Sequence, residues 1–213
     1  MTESRTLGGL LDVAGLKGVS RETMERLDLH LDLVRRWTAR INLVAPSTLE
    51  DAWSRHIVDS AQLLSEPWPF GGRWLDLGSG AGFPGLVIAI LLQEHDPAAR
   101  VTLVESDRRK ATFLRQAAQA AQIPVTVLAE RAESLEPLSA QIITARALAP
   151  VDRLCALASP HLVPGGELRL LKGKGAEEEI DRARASWSFD LHRTPSVTEP
   201  QASVVILRNL HHV

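Results

Sequence analysis

Aromatic residues, cysteine and net charge are all scarce in this 213-residue chain. It has no tyrosine, five tryptophans and four phenylalanines, so a broad aromatic surface that stacks nucleic-acid bases is not expected. Its single cysteine, Cys155, excludes an internal disulfide and is typical of a reducing compartment. The formal net charge of -2 excludes a protein that is basic throughout, so any contact with RNA must come from a local basic patch.

Long apolar segments are also missing. The longest run, residues 86–92, is far too short to cross a bilayer, and the first residues, MTESRTLGGL, lack the apolar core of a signal peptide. We therefore expect a cytoplasmic protein without membrane contact. Hydrophobic residues make up 45% of the chain and charged residues 23%, which suffices for the core of one α/β domain with an extension.

The most informative stretch is RWLDLGSGAGFPGLVIAILL, residues 73–92. A short apolar run that contains Asp76 is followed by four glycines within eight residues and then by an unbroken apolar run. This order predicts a buried strand, a tight loop and a buried helix. Glycine permits positive φ and lets a ligand approach the backbone where a Cβ would clash, and Pro84 suits the first turn of the helix. The sequence therefore predicts a ligand site at this loop.

Two cofactors compete for the glycine loop. Residues 80–85, GAGFPG, match the GxGxxG pattern of dinucleotide-binding proteins. Residues 76–82, DLGSGAG, resemble instead the DxGxGxG motif of S-adenosylmethionine-dependent methyltransferases. We favour the methyltransferase, because the Asp76 carboxylate suits a cationic amino-acid ligand and would repel a pyrophosphate. A turn without a ligand is the third possibility, although such a cluster of glycines and an acid rarely occurs without one.

The hydrophobic periodicity indicates an α/β fold. Residues 1–70 are predicted to be helical, with Ser20 capping one helix, residues 42–46 ending it and a second helix over 52–64. From Arg73 strands and helices alternate, which implies a parallel sheet. The expected fold is the doubly wound, Rossmann-like, mostly parallel seven-stranded sheet of class I methyltransferases. We expect a helical extension at 1–70 and a methyltransferase domain at 71–213.

The individual elements follow from the same pattern. The last two strands have no helix between them and should be antiparallel. Pro164, Gly165 and Gly166 are expected to separate a helix from the strand that follows it. Predicted strands lie at 74–77, 101–105, 125–128, 141–144, 167–171, 189–192 and 203–207, and predicted helices follow the loop and lie at 107–122, 151–162 and 176–186.

Side chains at the carboxyl edge of the predicted sheet are candidates for ligand contacts, because doubly wound sheets bind ligands there. Glu105 ends the second strand, twenty residues beyond Gly85, where an acid commonly holds ribose hydroxyls of either cofactor. Ala132 and Glu133 follow the third strand and are placed to flank an adenine. Arg146 follows the fourth, where its guanidinium suits the carboxylate of the cofactor or a group of RNA.

Further motifs give the chain a specific resemblance. RHIVDS before the glycine loop and LKG after the fifth strand are distinctive, whereas the loop alone is generic. With them, the chain is similar to the bacterial ribosomal RNA small-subunit methyltransferase G family, also called glucose-inhibited division protein B. Ala61 and Ala145 depart from the leucine and serine usual there, and both changes are small. The resembling residues lie at 42–44, 55–60, 76–85, 105–106, 109–110, 113–114, 131–133, 145–147 and 171–173.

The resemblance implies methyl transfer from S-adenosylmethionine to N7 of a guanosine in 16S ribosomal RNA. It further implies that the partner is this RNA or the small subunit. We also expect no metal and a monomeric protein. Together with the edge positions it gives the candidate cofactor residues Asp76, Gly78, Gly80, Gly82, Phe83, Glu105, Ser106, Ala132, Glu133 and Arg146. The candidate RNA contacts are Arg55, His56, Arg109, Lys110, Arg146, Lys172 and Lys174.

No catalytic base is predicted. Guanine N7 carries no proton and the sulfonium methyl is already activated, so the main tasks are alignment and the removal of water. His56 lies near Asp59 on a predicted helix and is interpreted, with Arg55, as a structural or RNA-facing cluster. Three alternatives stay open: a methyltransferase of small molecules or proteins, a nicotinamide oxidoreductase, and a non-catalytic binding module of the same fold.

Overall fold

A seven-stranded sheet forms the centre of the computed structural model, which describes residues 18–213. The strand order is β3-β2-β1-β4-β5-β7-β6. All pairs among β1 to β5 are parallel, and β7 is antiparallel to both of its neighbours. The predicted fold class is confirmed. The strands are β1 (Arg73–Leu77), β2 (Arg100–Val104), β3 (Val125–Leu128), β4 (Ala140–Arg146), β5 (Leu162–Lys172), β6 (Trp187–Pro195) and β7 (Ser203–His212).

Helices cover both faces of the sheet. Neighbouring residues of a strand point to opposite faces, so Trp74 packs into one apolar cluster and Leu75 into the other. The first cluster holds side chains of α1, α2 and α3, and the second holds those of α4 and α5. The helices are α1 (Arg21–Ile41), α2 (Gly85–His95), α3 (Arg108–Ala120), α4 (Val151–Ala158) and α5 (Ala176–Ala183).

The N-terminal part is helical over the residues that the structure describes. The Ser20 side chain accepts a hydrogen bond from the Thr23 N–H, and α1 ends with its C-cap at residue 42, both as predicted. Asn42 adopts the left-handed conformation there, which was not predicted from the sequence. The predicted helix at 52–64 is a composite helix: a π-helix (Trp53–Val58), an α-helical turn (Asp59–Ala61) and a 3-10 turn (Gln62–Leu64). Residues 1–17 lie outside the described part, and the domain boundary near residue 70 stays a prediction.

Arg169 joins the composite helix to the sheet. Its side chain is fully buried in β5 and donates hydrogen bonds to the carbonyls of Leu63 (2.6 Å), Glu66 (3.0 Å) and Pro67 (2.6 Å). Its Nε also bonds Glu167 at 2.6 Å. A guanidinium can satisfy these groups at once because it offers five N–H donors in a fixed plane. The helical segment is thereby held at a set position over the sheet edge.

Some predicted boundaries were wrong. The fourth strand runs on to Arg146, because Ala145 and Arg146 pair with β5. The fifth strand begins at Leu162, so Pro164, Gly165 and Gly166 lie within it instead of before it. Ala140 pairs with Leu162 and Ile142 with Glu167, which leaves the extra residues as an irregularity between the two pairs.

Other differences are at element ends. Pro84 is the N-cap of α2 and not part of its first turn. The helices predicted at 151–162 and 176–186 end earlier, at Ala158 and Ala183. The last two strands form a longer antiparallel pair than predicted, because polar residues continue the ladder beyond the apolar ones. In the described part of the chain, no helix has the length and apolarity needed to span a membrane.

Candidate functional site

Two cavities open at the carboxyl edge of the sheet, on either side of residues 146–150, which we call the dividing segment. The smaller, about 320 Å³, is lined by Leu148, Ala149 and Pro150 of this segment. The larger, about 610 Å³, is lined by Arg146 and Ala147. We call them the small groove and the large cavity. The dividing segment is thus a wall common to both.

The predicted site residues separate between these cavities. The cofactor candidates Gly78, Ser106, Ala132 and Glu133 line the small groove. Every RNA candidate except Arg109 and Lys110 lines the large cavity, which has Arg55, His56, Arg146, Lys172 and Lys174 in its wall. Arg146, which was also a cofactor candidate, lines the large cavity, and the remaining cofactor candidates line neither cavity: Asp76, Gly80, Gly82, Phe83 and Glu105. The structure therefore brings together part of each predicted set, and the roles of these residues stay predictions.

The glycine loop runs across the ends of β1 and β2. Gly78, Gly80 and Gly82 all have positive φ, at 68°, 53° and 87°. The Gly80 N–H donates to Glu105 Oε2 at 2.9 Å, and the other oxygen of Glu105 accepts from the Asp107 N–H at 2.7 Å. Glu105 therefore braces the loop from the second strand.

Asp76 lies beneath the glycine loop and lines neither cavity. It is 1% exposed, and its Oδ1 accepts a hydrogen bond from Thr144 Oγ1 at 2.7 Å. Its Oδ2 lies against Gly85, where a Cβ would come within 2.5 Å of it, and has no hydrogen-bond partner within residues 18–213. Burial raises the pKa of this carboxyl to about 6. Asp76 thus supports the loop through Thr144 and its close packing against Gly85, and its predicted contact with the cofactor stays a prediction.

Phe83 is enclosed by polar rings and a cation. The ring of His56 stacks on it at 4.6 Å, and the ring of His30 lies 4.9 Å away. The Arg146 guanidinium carbon is 5.2 Å from the Phe83 ring centre. Phe83 is 4% exposed, so it connects the N-terminal helices to the glycine loop and is not part of the lining of either cavity.

Arg146 forms the polar centre of the large cavity. It donates to the Arg55 carbonyl at 3.0 Å and to His56 Nδ1 at 3.1 Å, and it lies 3.5 Å from Asp59 Oδ2. Because Nδ1 of His56 accepts, the proton is on Nε2, which lies 2.9 Å from Thr48 Oγ1. Burial, followed by the charges of Arg146 and Arg55, lowers the pKa of His56 to about 3. His56 is therefore a neutral partner of Arg146 at physiological pH.

The two lysines of the large cavity differ. Lys172 is almost buried, and its Nζ lies 2.5 Å from Glu179 Oε2 and donates to the Ala149 carbonyl at 3.0 Å. Lys174 is exposed. Outside both cavities, Arg109 and Lys110 begin α3, where Arg109 pairs with Asp107 at 3.3 Å on the surface. Lys172 therefore fixes the dividing segment, and Lys174 is available to solvent.

Sequence analysis missed one wall of the large cavity and one side chain of the small groove. Ser196, Thr198, Glu199, Ala202 and Ser203 line the large cavity. Thr198 Oγ1 donates to Asp59 Oδ1 at 2.9 Å. The Val197 N–H also donates to Gln62 at 2.8 Å. No local signal connects residues so far apart in the chain. Leu148 packs over Gly78 and is 41% exposed, and a single apolar residue in a loop gave no signal in the sequence.

Neither a metal nor a reactive thiol is supported in the described part of the chain. No group of three or more histidine, cysteine, aspartate or glutamate side chains there could hold a metal ion. Cys155 is buried in α4, and burial raises the pKa of its thiol to about 12.

Comparisons with known proteins give a consistent match. The family model described as rRNA small subunit methyltransferase G (GidB) matches residues 23–206. Relatives named ribosomal RNA small subunit methyltransferase G include one from Paramagnetospirillum magneticum, 51% identical over 193 residues, which are 91% of this chain and 92% of the relative. Another, from Cereibacter sphaeroides, is 48% identical over 195 residues, 92% of this chain and 95% of the relative.

Solved structures share the fold. A methyltransferase from Pyrococcus furiosus has a TM-score of 0.54 at 18% identity and covers 86% of this chain and 98% of its own. A T. thermophilus 16S rRNA N2 G1207 methyltransferase in complex with AdoMet and guanosine has a TM-score of 0.50 at 22% identity. The match covers 70% of this chain and 38% of that protein. At these identities the likeness establishes the fold alone.

Proposed function

The chain belongs to the rRNA small subunit methyltransferase G family, and from this premise we propose that it transfers the methyl group of S-adenosylmethionine to N7 of a guanosine in 16S ribosomal RNA. The observation that carries the proposal is the common wall: cofactor candidates line one side of the dividing segment and RNA candidates line the other. A direct transfer between two substrates needs two sites that adjoin, because the reacting atoms must approach to about 3–3.5 Å, so residues 146–150 would have to leave an opening between the two cavities when both substrates are bound.

The reaction is a displacement without proton transfer. The N7 lone pair attacks the methyl carbon, the N–C bond forms as the S–C bond breaks, and the electron pair of that bond stays on sulfur. The products are S-adenosylhomocysteine and a positively charged 7-methylguanine. No general base is needed. This agrees with His56, whose ring nitrogens are already engaged by Arg146 and Thr48.

The residues of the small groove, together with Glu105 beside it, fit the methyl donor. Glu105 does not line the groove, but it lies between Val104 and Ser106, which do. Each of its oxygens accepts one backbone N–H, which leaves further lone pairs for the hydroxyls of a ribose. Gly78 presents bare backbone to the groove at positive φ. Ala132 and Glu133 line the far side, where an adenine would lie. S-adenosylmethionine, when bound, supplies the activated methyl group, and these residues orient it.

The large cavity has the size and charge for a nucleotide of RNA. Its volume of about 610 Å³ is within the usual range for small-molecule sites. Arg55 and Lys174 are exposed beside it and can neutralise phosphates. The Arg146 guanidinium lies in the wall nearest the groove, where guanine N7 would have to be presented.

The decisive experiment is methyl transfer from tritiated S-adenosylmethionine to 16S RNA and to small subunits, followed by mass mapping of the modified nucleotide. We expect label in one 7-methylguanosine. Preferred labelling of proteins or small molecules would contradict the RNA substrate. Protection of the protein by NADH but not by S-adenosylhomocysteine would contradict the cofactor.

Three finer points belong to the same proposal. The enzyme acts as a monomer, in the cytoplasm where small subunits are assembled. It comprises a helical extension at 1–70 and a methyltransferase domain at 71–213. Its RNA contacts are local, in keeping with the net charge of -2. Light scattering on the purified protein tests the monomer, and a truncation that begins at residue 71 tests whether the second part folds alone.

A further inference from the structure

His30 makes a buried polar contact with the glycine loop. It lies on α1 and is 0% exposed, and its Nε2 is 2.7 Å from the Ala81 carbonyl oxygen. A carbonyl oxygen can only accept, so Nε2 must carry the proton and donate it. Nδ1 is then an unprotonated acceptor, and it has no hydrogen-bond partner in the described part of the chain. Burial lowers the pKa of this imidazole to about 4, so the ring is neutral at physiological pH.

The contact fixes the most constrained part of the loop. Ala81 lies between Gly80 and Gly82, which both have positive φ. A Cβ on Gly82 would lie only 3.0 Å from His30 Nε2. On the opposite side, the Gly80 N–H is held by Glu105 at 2.9 Å. The loop is therefore held by hydrogen bonds to the Glu105 carboxylate from the sheet and to the His30 imidazole from α1.

A purely structural role does not explain the choice of residue. An aliphatic side chain of similar volume would fill the same space but would leave the Ala81 carbonyl without a donor, whereas histidine satisfies that carbonyl and leaves its own buried Nδ1 without a partner in the described part of the chain. What histidine adds is a donor aimed at one carbonyl of the loop. Its ring also packs 4.9 Å from Phe83, the next ring of the loop.

We propose that His30 is a positioning residue for the methyl donor: by binding the Ala81 carbonyl it holds the glycine loop in the shape that receives the cofactor. The inference rests on the proposed function, since it assumes that this loop holds S-adenosylmethionine. It assigns part of the cofactor site to the N-terminal helix, which contributes no residue to the small groove itself.

The test compares two substitutions of the same residue. His30→Leu removes the donor, and His30→Gln retains an amide N–H near the position of Nε2. We expect the leucine variant to bind S-adenosylhomocysteine about tenfold more weakly by calorimetry and the glutamine variant to stay within roughly threefold of the original chain. Val34→Ala, one turn further along the same helix, is the control: it lowers the melting temperature and leaves cofactor affinity unchanged.

Each other outcome is informative. The role of the hydrogen bond would be overturned if His30→Leu, His30→Gln and Val34→Ala all bound S-adenosylhomocysteine equally well. It would also be overturned if His30→Leu and His30→Gln weakened this binding equally. If the leucine variant does not fold, His30→Asn takes its place, because its amide is too short to reach the Ala81 carbonyl. Failure of the unsubstituted chain to bind S-adenosylhomocysteine would instead overturn the proposed function, so the two failures are distinguishable.

Discussion

The small groove and the large cavity share one wall but are built differently. The groove is lined by residues that directly follow β1, β2, β3 and β4, which meet at the sheet edge by the rules of a parallel fold. The large cavity is assembled from the composite helix, the end of β5 and the loop between β6 and β7, which are distant in the chain. One site is therefore a product of sheet topology, and the other depends on tertiary packing.

The charges of the two compartments differ as well. In the large cavity, Arg146 already binds Asp59, and Lys172 already binds Glu179. These pairs are half-buried or buried, so removal of one partner leaves the other charge poorly solvated. The groove carries fewer buried charges, and its ion pair between Arg153 and Glu133 is largely exposed. Substitutions should therefore have larger effects on the cavity side, and four experiments test this.

The largest effect is expected for Arg146→Ala. The substitution leaves Asp59 and His56 without their shared partner, and we expect methyl transfer to fall on the order of a hundredfold. The rate at saturating S-adenosylmethionine reports an effect on the large cavity, and the calorimetric affinity for S-adenosylhomocysteine reports an effect on the small groove. Arg21→Ala, at an exposed ion pair on α1, is the control and should have no effect. If cofactor affinity fell as much as the rate, Arg146 would belong to the groove.

Acid should destabilise the protein through the buried histidines. The pKa values of His30 and His56 are lowered to about 4 and about 3, so their stabilising contribution is present above the unfolded value of 6.5 and is lost as the pH falls. At about pH 5 each of these histidines lowers the free energy of unfolding by up to roughly 2 kcal/mol. Asp76 acts in the opposite sense, because its raised pKa gives stability at low pH that is lost as the pH rises through about 6.

Urea unfolding between about pH 5 and pH 7.5 measures how the free energy of unfolding depends on pH. His56→Gln keeps an acceptor for Arg146 and should recover a large part of the loss at low pH. Asp76→Asn removes the opposing contribution and should make the dependence on pH steeper. A pH profile that His56→Gln leaves unchanged would show that the cavity histidine does not titrate with unfolding.

On the groove side, Glu105→Gln should weaken S-adenosylhomocysteine binding about tenfold. An amide offers one acceptor oxygen, so it cannot accept from both the Gly80 and Asp107 N–H groups and still hold a ribose. RNA affinity should not change. Glu25→Gln, on the surface of α1, is the matched control. Equal loss of RNA affinity would mean that the compartments are not independent.

The smallest effect is expected for Lys174→Ala. An exposed lysine that contacts one phosphate should contribute a few-fold to RNA affinity, and its removal should reduce the slope of log affinity against log salt by about one. Lys172→Ala should behave differently, because it unpairs the Glu179 carboxylate and lowers the melting temperature. Identical behaviour of the two lysines would remove the distinction between a structural and an RNA-facing cation.

The same contrast explains what the sequence could predict. The mostly parallel sheet and the edge positions of Gly78, Glu105 and Ala132 follow from alternating apolar segments and a glycine loop, which are local signals. The pairing of Asp59 with Thr198 joins residues more than a hundred positions apart, and no local pattern encodes it. The burial of Lys172 could not be predicted from the sequence either, because its partner Glu179 lies on a separate helix, α5.

The packing of Asp76 and Phe83 could not be predicted from the sequence either. Both were predicted as cofactor residues from their place in the loop, and that assignment stays a prediction. The structure puts Asp76 under the loop and Phe83 between His30 and His56. A side chain in a binding motif can support the backbone that binds, and only the packing of the neighbouring helices tells the difference.

The dividing segment has a kinetic consequence. Leu148 on the groove side lies so close to Gly78 that a Cβ there would be 2.7 Å from its Cδ1, while Arg146 faces the other compartment two residues away. A molecule that pushes Leu148 aside acts on the same few peptide bonds that hold the guanidinium. We therefore expect that binding of one substrate affects binding of the other through residues 146–148, and product-inhibition patterns would test this.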